Sequence, residues 1–167
     1  MRLQGDTPGT PPAAGATPAA AGGHKRRPRD IGTAAETAVV RYLVANGWPS
    51  AERRALKGNL DQGDVTGCPG LVIEVKGGNA AKTASDGQIT AWLAETETER
   101  LNAKADIGVL VLQRAGCGPA NVGRWWAVIH LHHLNAFAHD APVRMHLADA
   151  CRYLRDIGYG TPLGDVA

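Results

Sequence analysis

The chain has little of what marks a membrane, secreted or nucleotide-dependent protein. No apolar run reaches the roughly 18 residues that a bilayer span needs. The Ala-rich start also lacks the apolar centre of a secretory signal. Cysteine is scarce: Cys68, Cys117 and Cys151 lie far apart with no C-x-x-C pair. That spacing argues against a disulfide framework or a thiolate metal site and predicts reduced thiols. The Gly-rich stretches lack P-loop or dinucleotide spacing, which argues against ATP and NAD. No internal repeat is present. These absences predict a soluble, cytoplasmic protein with no membrane partner.

Residues 1 to 23 are mostly Pro, Gly, Ala and Thr, with no large apolar residue after Leu3. Such a stretch buries too little surface to offset its conformational entropy, so residues 1–30 are expected to form a disordered arm. Residues 31–167 are ample for a single folded domain. Of the formal charge of +2, the first 30 residues hold a net +3, leaving about −1 for the remainder. The run His24-Lys25-Arg26-Arg27-Pro28-Arg29 reads equally well as a phosphate-contacting arm or as a solvated linker.

Thr33, with Glu36 three residues later, has capping-box spacing and predicts a helix start. Ala35, Val39, Leu43 and Val44 then recur at helical intervals, and Asn46-Gly47 is a helix stop. Residues 51–56 are expected as an edge strand, 57–63 as a loop, and Asp64-Val65-Thr66 as a short extended piece. After the turn Gly67-Cys68-Pro69-Gly70, Leu71-Val72-Ile73-Glu74-Val75-Lys76 is the clearest strand, paired back onto 64–66. A loop over 77–85 leads to a helix over 86–103, with Ile89, Trp92, Leu93 and Leu101 on its apolar stripe. Strands over 108–112 and 125–129 follow, then one or two helices with Leu147, Cys151, Leu154 and Ile157 at helical spacing. This order predicts an α/β domain with a central mixed sheet flanked by helices.

Gly63-Asp64, nine intervening residues, then Glu74-Val75-Lys76 carries the most chemistry. The hairpin-length return brings Asp64 near Glu74. Alternation along the strand sends Glu74 and Lys76 to one face and Val75 into the core. Two carboxylates with water and phosphate suit Mg²⁺, a hard cation that takes oxygen ligands. An apolar strand ending in E-x-K can equally be a strand meeting solvent, its charges weakly paired. Asp64 at hairpin distance and the bare Gly77-Gly78 loop, which would let a nucleic-acid backbone approach, favour the metal site.

These residues resemble the PD-(D/E)xK nuclease superfamily, with Gly63-Asp64 in place of Pro-Asp and Glu74-Val75-Lys76 as the E-x-K element. The flanking helices carrying Glu36 and Gln88 resemble the archaeal-type Holliday junction resolvases within it, including phage and actinobacterial homologues. The likeness spans roughly residues 31 to 114. It implies a restriction-endonuclease-like core and a Mg²⁺-dependent endodeoxyribonuclease, with Mn²⁺ able to substitute. The metal would be bound by Asp64, Glu74, the Val75 carbonyl and Glu36. Lys76 would be catalytic, with Gln88 positioning Lys76 or the water. Glu36 at N3 also fits a simple helix cap, and Gln88 a solvated helix residue. The resemblance further implies branched DNA, such as a four-way junction, as partner, a homodimer, and the host bacterial cytoplasm if phage-encoded. Arg26, Arg27, Arg29, Arg53, Arg54, Lys57 and Lys82 would be DNA-backbone contacts. The alternatives are a restriction- or repair-like nuclease of the same superfamily and a non-catalytic DNA-binding or phage structural accessory protein. The long arm and the region past about 131 have no counterpart in the resemblance.

The histidines His130, His132, His133, His139 and His146 invite a metal reading. His133, Asn135 and His139 mimic an HNH nuclease only loosely, so surface and capping roles are expected. Trp125-Trp126 alternate faces, so at least one is expected in the core, while either could stack a base.

Overall fold

The computed structural model describes residues 27–55 and 61–164. The expected arm up to residue 26, Arg26 within it, and Lys57 lie outside the described residues.

Pro28 opens the first helix, α1 (Pro28–Ala45), because its fixed φ suits the first helical position and it has no N–H to leave unbonded. The helix therefore starts earlier than Thr33. Arg27 takes the N-cap position, so Arg29 and Asp30 belong to the folded domain and not to the arm. Thr33 and Glu36 lie inside the helix, which removes the capping-box role expected for both. The other end matches the sequence reading: Asn46 N–H donates to the Leu43 carbonyl and Gly47 turns the chain with φ +110°.

Among the described residues, six strands follow in an order that is the same in space as in sequence. They are β1 (Glu52–Arg53), β2 (Val65–Thr66), β3 (Leu71–Lys76), β4 (Ile107–Leu112), β5 (Trp126–His130) and β6 (Pro142–His146). Only β3 and β4 run parallel; the other neighbours are antiparallel. The parallel pair needs a crossover, supplied by α2 (Gly78–Lys82) and α3 (Asp86–Ala103). A 3₁₀ turn (Pro119–Arg124), the short helix α4 (Leu131–Leu134) and α5 (Leu147–Asp156) complete the domain. Two elements differ from expectation. The loop over 77–85 contains α2, and β6 is a strand where only helices were expected.

Period-2 alternation sorts the strand residues onto two faces. Ile73, Val75, Val109, Val111, Ala127 and Ile129 join Val39 and Leu43 of α1 and Leu154 of α5 in one core. Leu110, Leu112 and Val128 face α3, with Leu93, Ile89 and Trp92. The α3 stripe is thinner than the sequence suggests. Leu101 is 62% exposed, whereas Thr96 and Glu99 are buried in its place. Trp125 is fully buried, its indole donating to the Cys117 carbonyl at 3.0 Å, and Trp126 is half-exposed on the α3 face. The three cysteines are free and buried, as expected of structural thiols.

The close approach of α1 to the end of β3 depends on missing side chains. A Cβ on Gly77 would stand 2.4 Å from the Ala35 Cβ, and one on Gly78 would stand 2.6 Å from Ile31 Cγ2. The space beside these glycines is filled by α1 and is not open to a nucleic-acid backbone, contrary to the sequence reading. Their bareness brings the helix that carries Glu36 against the strand that carries Glu74 and Lys76. Gly77→Ala is therefore expected to destabilise the protein by about 1–3 kcal/mol through overpacking. Gly118→Ala, where nothing lies within 4 Å, should change little. Chemical denaturation of both variants checks this, and equal midpoints would contradict it.

Candidate functional site

The site is built where β2 leaves the sheet. Val65 pairs with Ile73, the Asp64 N–H donates to the Ile73 carbonyl at 3.0 Å, and the Asp64 carboxyl comes beside that of Glu74. Gly63 makes this possible with φ +84°, in a spot where a Cβ would meet Val72 Cγ1 at 2.9 Å and the Ile73 carbonyl oxygen at 3.0 Å. The Val75 N–H, which a longer β2 would have bonded through its backbone, instead donates to Asp64 Oδ2 at 2.8 Å. A strand residue directs its N–H and C=O toward the same neighbour, so the Val75 carbonyl also points to this vacated edge. Arg54 braces the turn, its backbone N–H bonding the Asp64 carbonyl at 2.8 Å and its Nε the Gly63 carbonyl at 3.1 Å.

Glu74 and Lys76 project to the α3 face, as alternation predicts, with Val75 in the opposite core. Lys76 Nζ lies 2.7 Å from Glu74 Oε1 and 3.5 Å from Glu95 Oε2, and 5.9 Å from the Trp92 ring centre. Glu99, one turn beyond Glu95 on α3, is 5% exposed, and its Oε2 has no hydrogen-bond partner. The sequence reading missed both α3 acids. The i, i+4 spacing of Glu95 and Glu99 was the available signal, masked by reading the helix for apolar residues.

The electrostatics follow from crowding acids in a buried place. Burial pushes the Asp64 carboxyl up to about 7. The charges of Glu74 and Glu36 add to the rise, against the lowering effect of the Val75 N–H. Glu99 is likewise pushed up to about 7 by burial and then by the charge of Asp61, with Asp64 contributing and Lys76 opposing. Burial raises Glu74 too, despite its bond to Lys76. Burial works against the Lys76 charge, yet the bond and charge of Glu74, with Glu95, outweigh it and hold the ammonium above its usual range.

Four acids, Asp64, Glu74, Glu95 and Glu99, thus crowd one ammonium, and the surplus negative charge can be neutralised by a proton or by a cation. An orphaned buried carboxylate oxygen and an oxygen-only donor set fit a hard divalent ion. Glu36 does not converge on the same point. Its Oε2 is held by Arg53 at 2.7 Å from Nε and 2.5 Å from Nη2, while its charge still reaches Asp64. Gln88 is exposed at the start of α3, where its backbone N–H bonds Ser85 Oγ. Lys76 is oriented by Glu74 and Glu95.

Of the expected DNA contacts, Arg53 and Arg54 are engaged within the fold, and Arg27 and Arg29 are exposed at the start of α1. Lys82 is exposed and lines a cavity of about 220 Å³ beyond the end of β4, with Ile89, Arg114, Trp126 and Arg144. The guanidinium carbons of Arg114 and Arg144 lie 4.5 and 5.2 Å from the Trp126 ring centre, and His146 stacks on the same ring at 5.0 Å. A larger cavity of about 380 Å³, lined by Trp48, Ser50, Gly67 and Tyr159, lies away from the carboxylates.

Among the described residues, three metal-ligating side-chain atoms come within 4.8 Å of one another at His130, His132 and Asp140. This group could hold a metal ion. It lies on β5 and the β5–β6 connection, two strands from Glu74, and the sequence reading had given these histidines only surface and capping roles. No helix among the described residues is long and apolar enough to cross a membrane. Set against protein-family models, curated proteins and solved structures, the chain matches none.

The raised carboxyls set a pH dependence. Asp64 and Glu99 titrate near 7 in the fold, against 3.8 and 4.5 ordinarily. Between those limits the folded chain binds more protons than the unfolded one, so their contribution to stability falls as pH rises from about 4 to 7. In chelator-treated protein, Asp64→Asn and Glu99→Gln should therefore gain melting temperature over the parent at pH 8 but not at pH 4. Parallel curves for parent and variants would contradict this.

Proposed function

We propose that the chain is a Mg²⁺-dependent endodeoxyribonuclease of the PD-(D/E)xK type that hydrolyses phosphodiesters of branched DNA as a Holliday junction resolvase. The observation that carries this reading is the buried surplus of acid around Lys76, with Asp64 beside Glu74 and bonded to the Val75 N–H at the edge that β2 vacates. Asp64, Glu74 and the Val75 carbonyl would hold the ion, which Mn²⁺ could replace. When bound, the metal supplies an activated water and stabilises charge on the scissile phosphate.

The remaining work falls to the chain's own groups. Lys76, fixed by Glu74 and Glu95, presents its ammonium to the attacking water or to the charge developing on the phosphate. Glu36, held by Arg53, adds its negative charge at Asp64 from α1. Support for a polyanionic substrate comes from the cations beside this end of the sheet. Lys82, Arg114 and Arg144 cluster at the partly buried Trp126, whose ring already packs against His146 and both guanidiniums, so they offer positive charge to a phosphate backbone. Arg27 and Arg29 are further exposed cations, at the start of α1. Cutting a four-way junction with paired nicks needs two such centres, so the working species is a homodimer.

Incubating the purified full chain with Mg²⁺ and matched four-way, flap and linear DNA tests this reading. Paired symmetric nicks confined to the junction are expected, and Asp64→Ala should lower cleavage by at least about a hundredfold while leaving the fold intact. Cleavage undiminished in Asp64→Ala would sink the nuclease reading. Equal cutting of linear duplex would replace the resolvase with a restriction- or repair-like enzyme.

A further inference from the structure

We infer that His130, His132 and Asp140 form a second metal site, specific for Zn²⁺-type transition ions and separate from the carboxylate centre. Three segments supply one ligand each. His130 is the last residue of β5, His132 lies in α4, and Asp140 precedes β6. Backbone pairing holds these segments in register. Leu131 N–H donates to the Ala141 carbonyl at 2.8 Å, and His130 stands opposite Pro142 in the sheet. Both imidazoles turn the same nitrogen inward, with His130 Nδ1 at 2.5 Å and His132 Nδ1 at 3.1 Å from Asp140 Oδ1.

A second observation comes from His133. Its side chain is only 4% exposed, and neither ring nitrogen has a hydrogen-bond partner. The nearest charge, Glu97 Oε2 at 3.3 Å, lies outside hydrogen-bond geometry. The His133 ring packs edge-on against His132 at 4.4 Å and against His130 at 5.4 Å. It therefore walls the group on its inner side and limits rotation of both rings away from Asp140. Burying imidazole nitrogens unbonded costs free energy, and here that cost accompanies the packing of His133 against the two rings that meet Asp140.

An exposed His–Asp pair alone would contribute little to stability. Two imidazole nitrogens and one carboxylate oxygen are three of the four ligands of tetrahedral Zn²⁺, with solvent open for the fourth. The same set is poor for Mg²⁺, which takes oxygen ligands in octahedral geometry. The two sites thus differ in chemistry as well as in place. A bound ion would clip α4 and the 135–141 connection to β5. The inference stands apart from the nuclease reading, since metal uptake here requires no cleavage.

The test uses the full chain, stripped with chelator and titrated with Co²⁺ in excess Mg²⁺. One equivalent of Co²⁺ should develop the intense visible absorption of a four-coordinate ion, and Zn²⁺ should bleach it. His130→Gln and His132→Gln should each weaken uptake by about tenfold or more, and Asp64→Asn should leave the band unchanged. Asp140→Asn alters an exposed residue and serves where a histidine variant fails to fold. Absence of the band, or its survival in Asp140→Asn and the histidine variants, overturns the inference.

Discussion

Lys76 has more carboxylate around it than one ammonium can neutralise. Glu74 takes its proton-rich face at 2.7 Å, Glu95 stands at 3.5 Å, and Asp64 and Glu99 are left with burial and mutual repulsion. A buried acid without a counter-charge either keeps its proton or recruits a cation. The rest of the architecture bears on this constraint. The two-residue β2 ends so that Asp64 can bond the Val75 N–H with its side chain, and the crossover between β3 and β4 lays α3, with its two glutamates, over the same spot.

The glycines of this region serve packing and backbone geometry in different ways. Gly63 takes a conformation that a side chain would block, which turns the chain inward immediately before Asp64. Gly77 and Gly78 yield their side-chain volume to Ala35 and Ile31, so that α1 lies against the end of β3 and Glu36 stays within electrostatic reach of Asp64. Arg53 then holds Glu36 on the α1 side. The acid on α1, Asp64 before β2 and Glu74 on β3 thus act on one another through the field without all sharing one point.

The relation of Asp64, Glu74 and Lys76 was legible in sequence because period-2 alternation and a hairpin-length return determine it with few assumptions. The mixed sheet was legible for the same reason, from β-branched runs separated by turns. Glu99 was hidden because a glutamate on a helix is read as solvated, and only the tertiary neighbours bury it. The start of α1 was misjudged because Thr33 and Glu36 imitate a capping box, while Pro28 sits within a basic run. β6 was missed because Pro142 opens it and only Val143 and Met145 face the core, too few for a strand signal. The meeting of His130, His132 and Asp140 depends on the β5–β6 pairing, so no spacing rule could have found it.

Two candidate metal centres on one α3-covered face, one built of oxygens and one mainly of imidazoles, make the donor chemistry itself the discriminating property. Calorimetric titration of chelator-treated protein with Mn²⁺, repeated on Asp64→Asn and on His132→Gln, separates the oxygen centre from the imidazole one. The account predicts a Mn²⁺ site that Mg²⁺ competes for, that Asp64→Asn removes and that His132→Gln retains. The same Mn²⁺ affinity in Asp64→Asn as in the parent chain would contradict it.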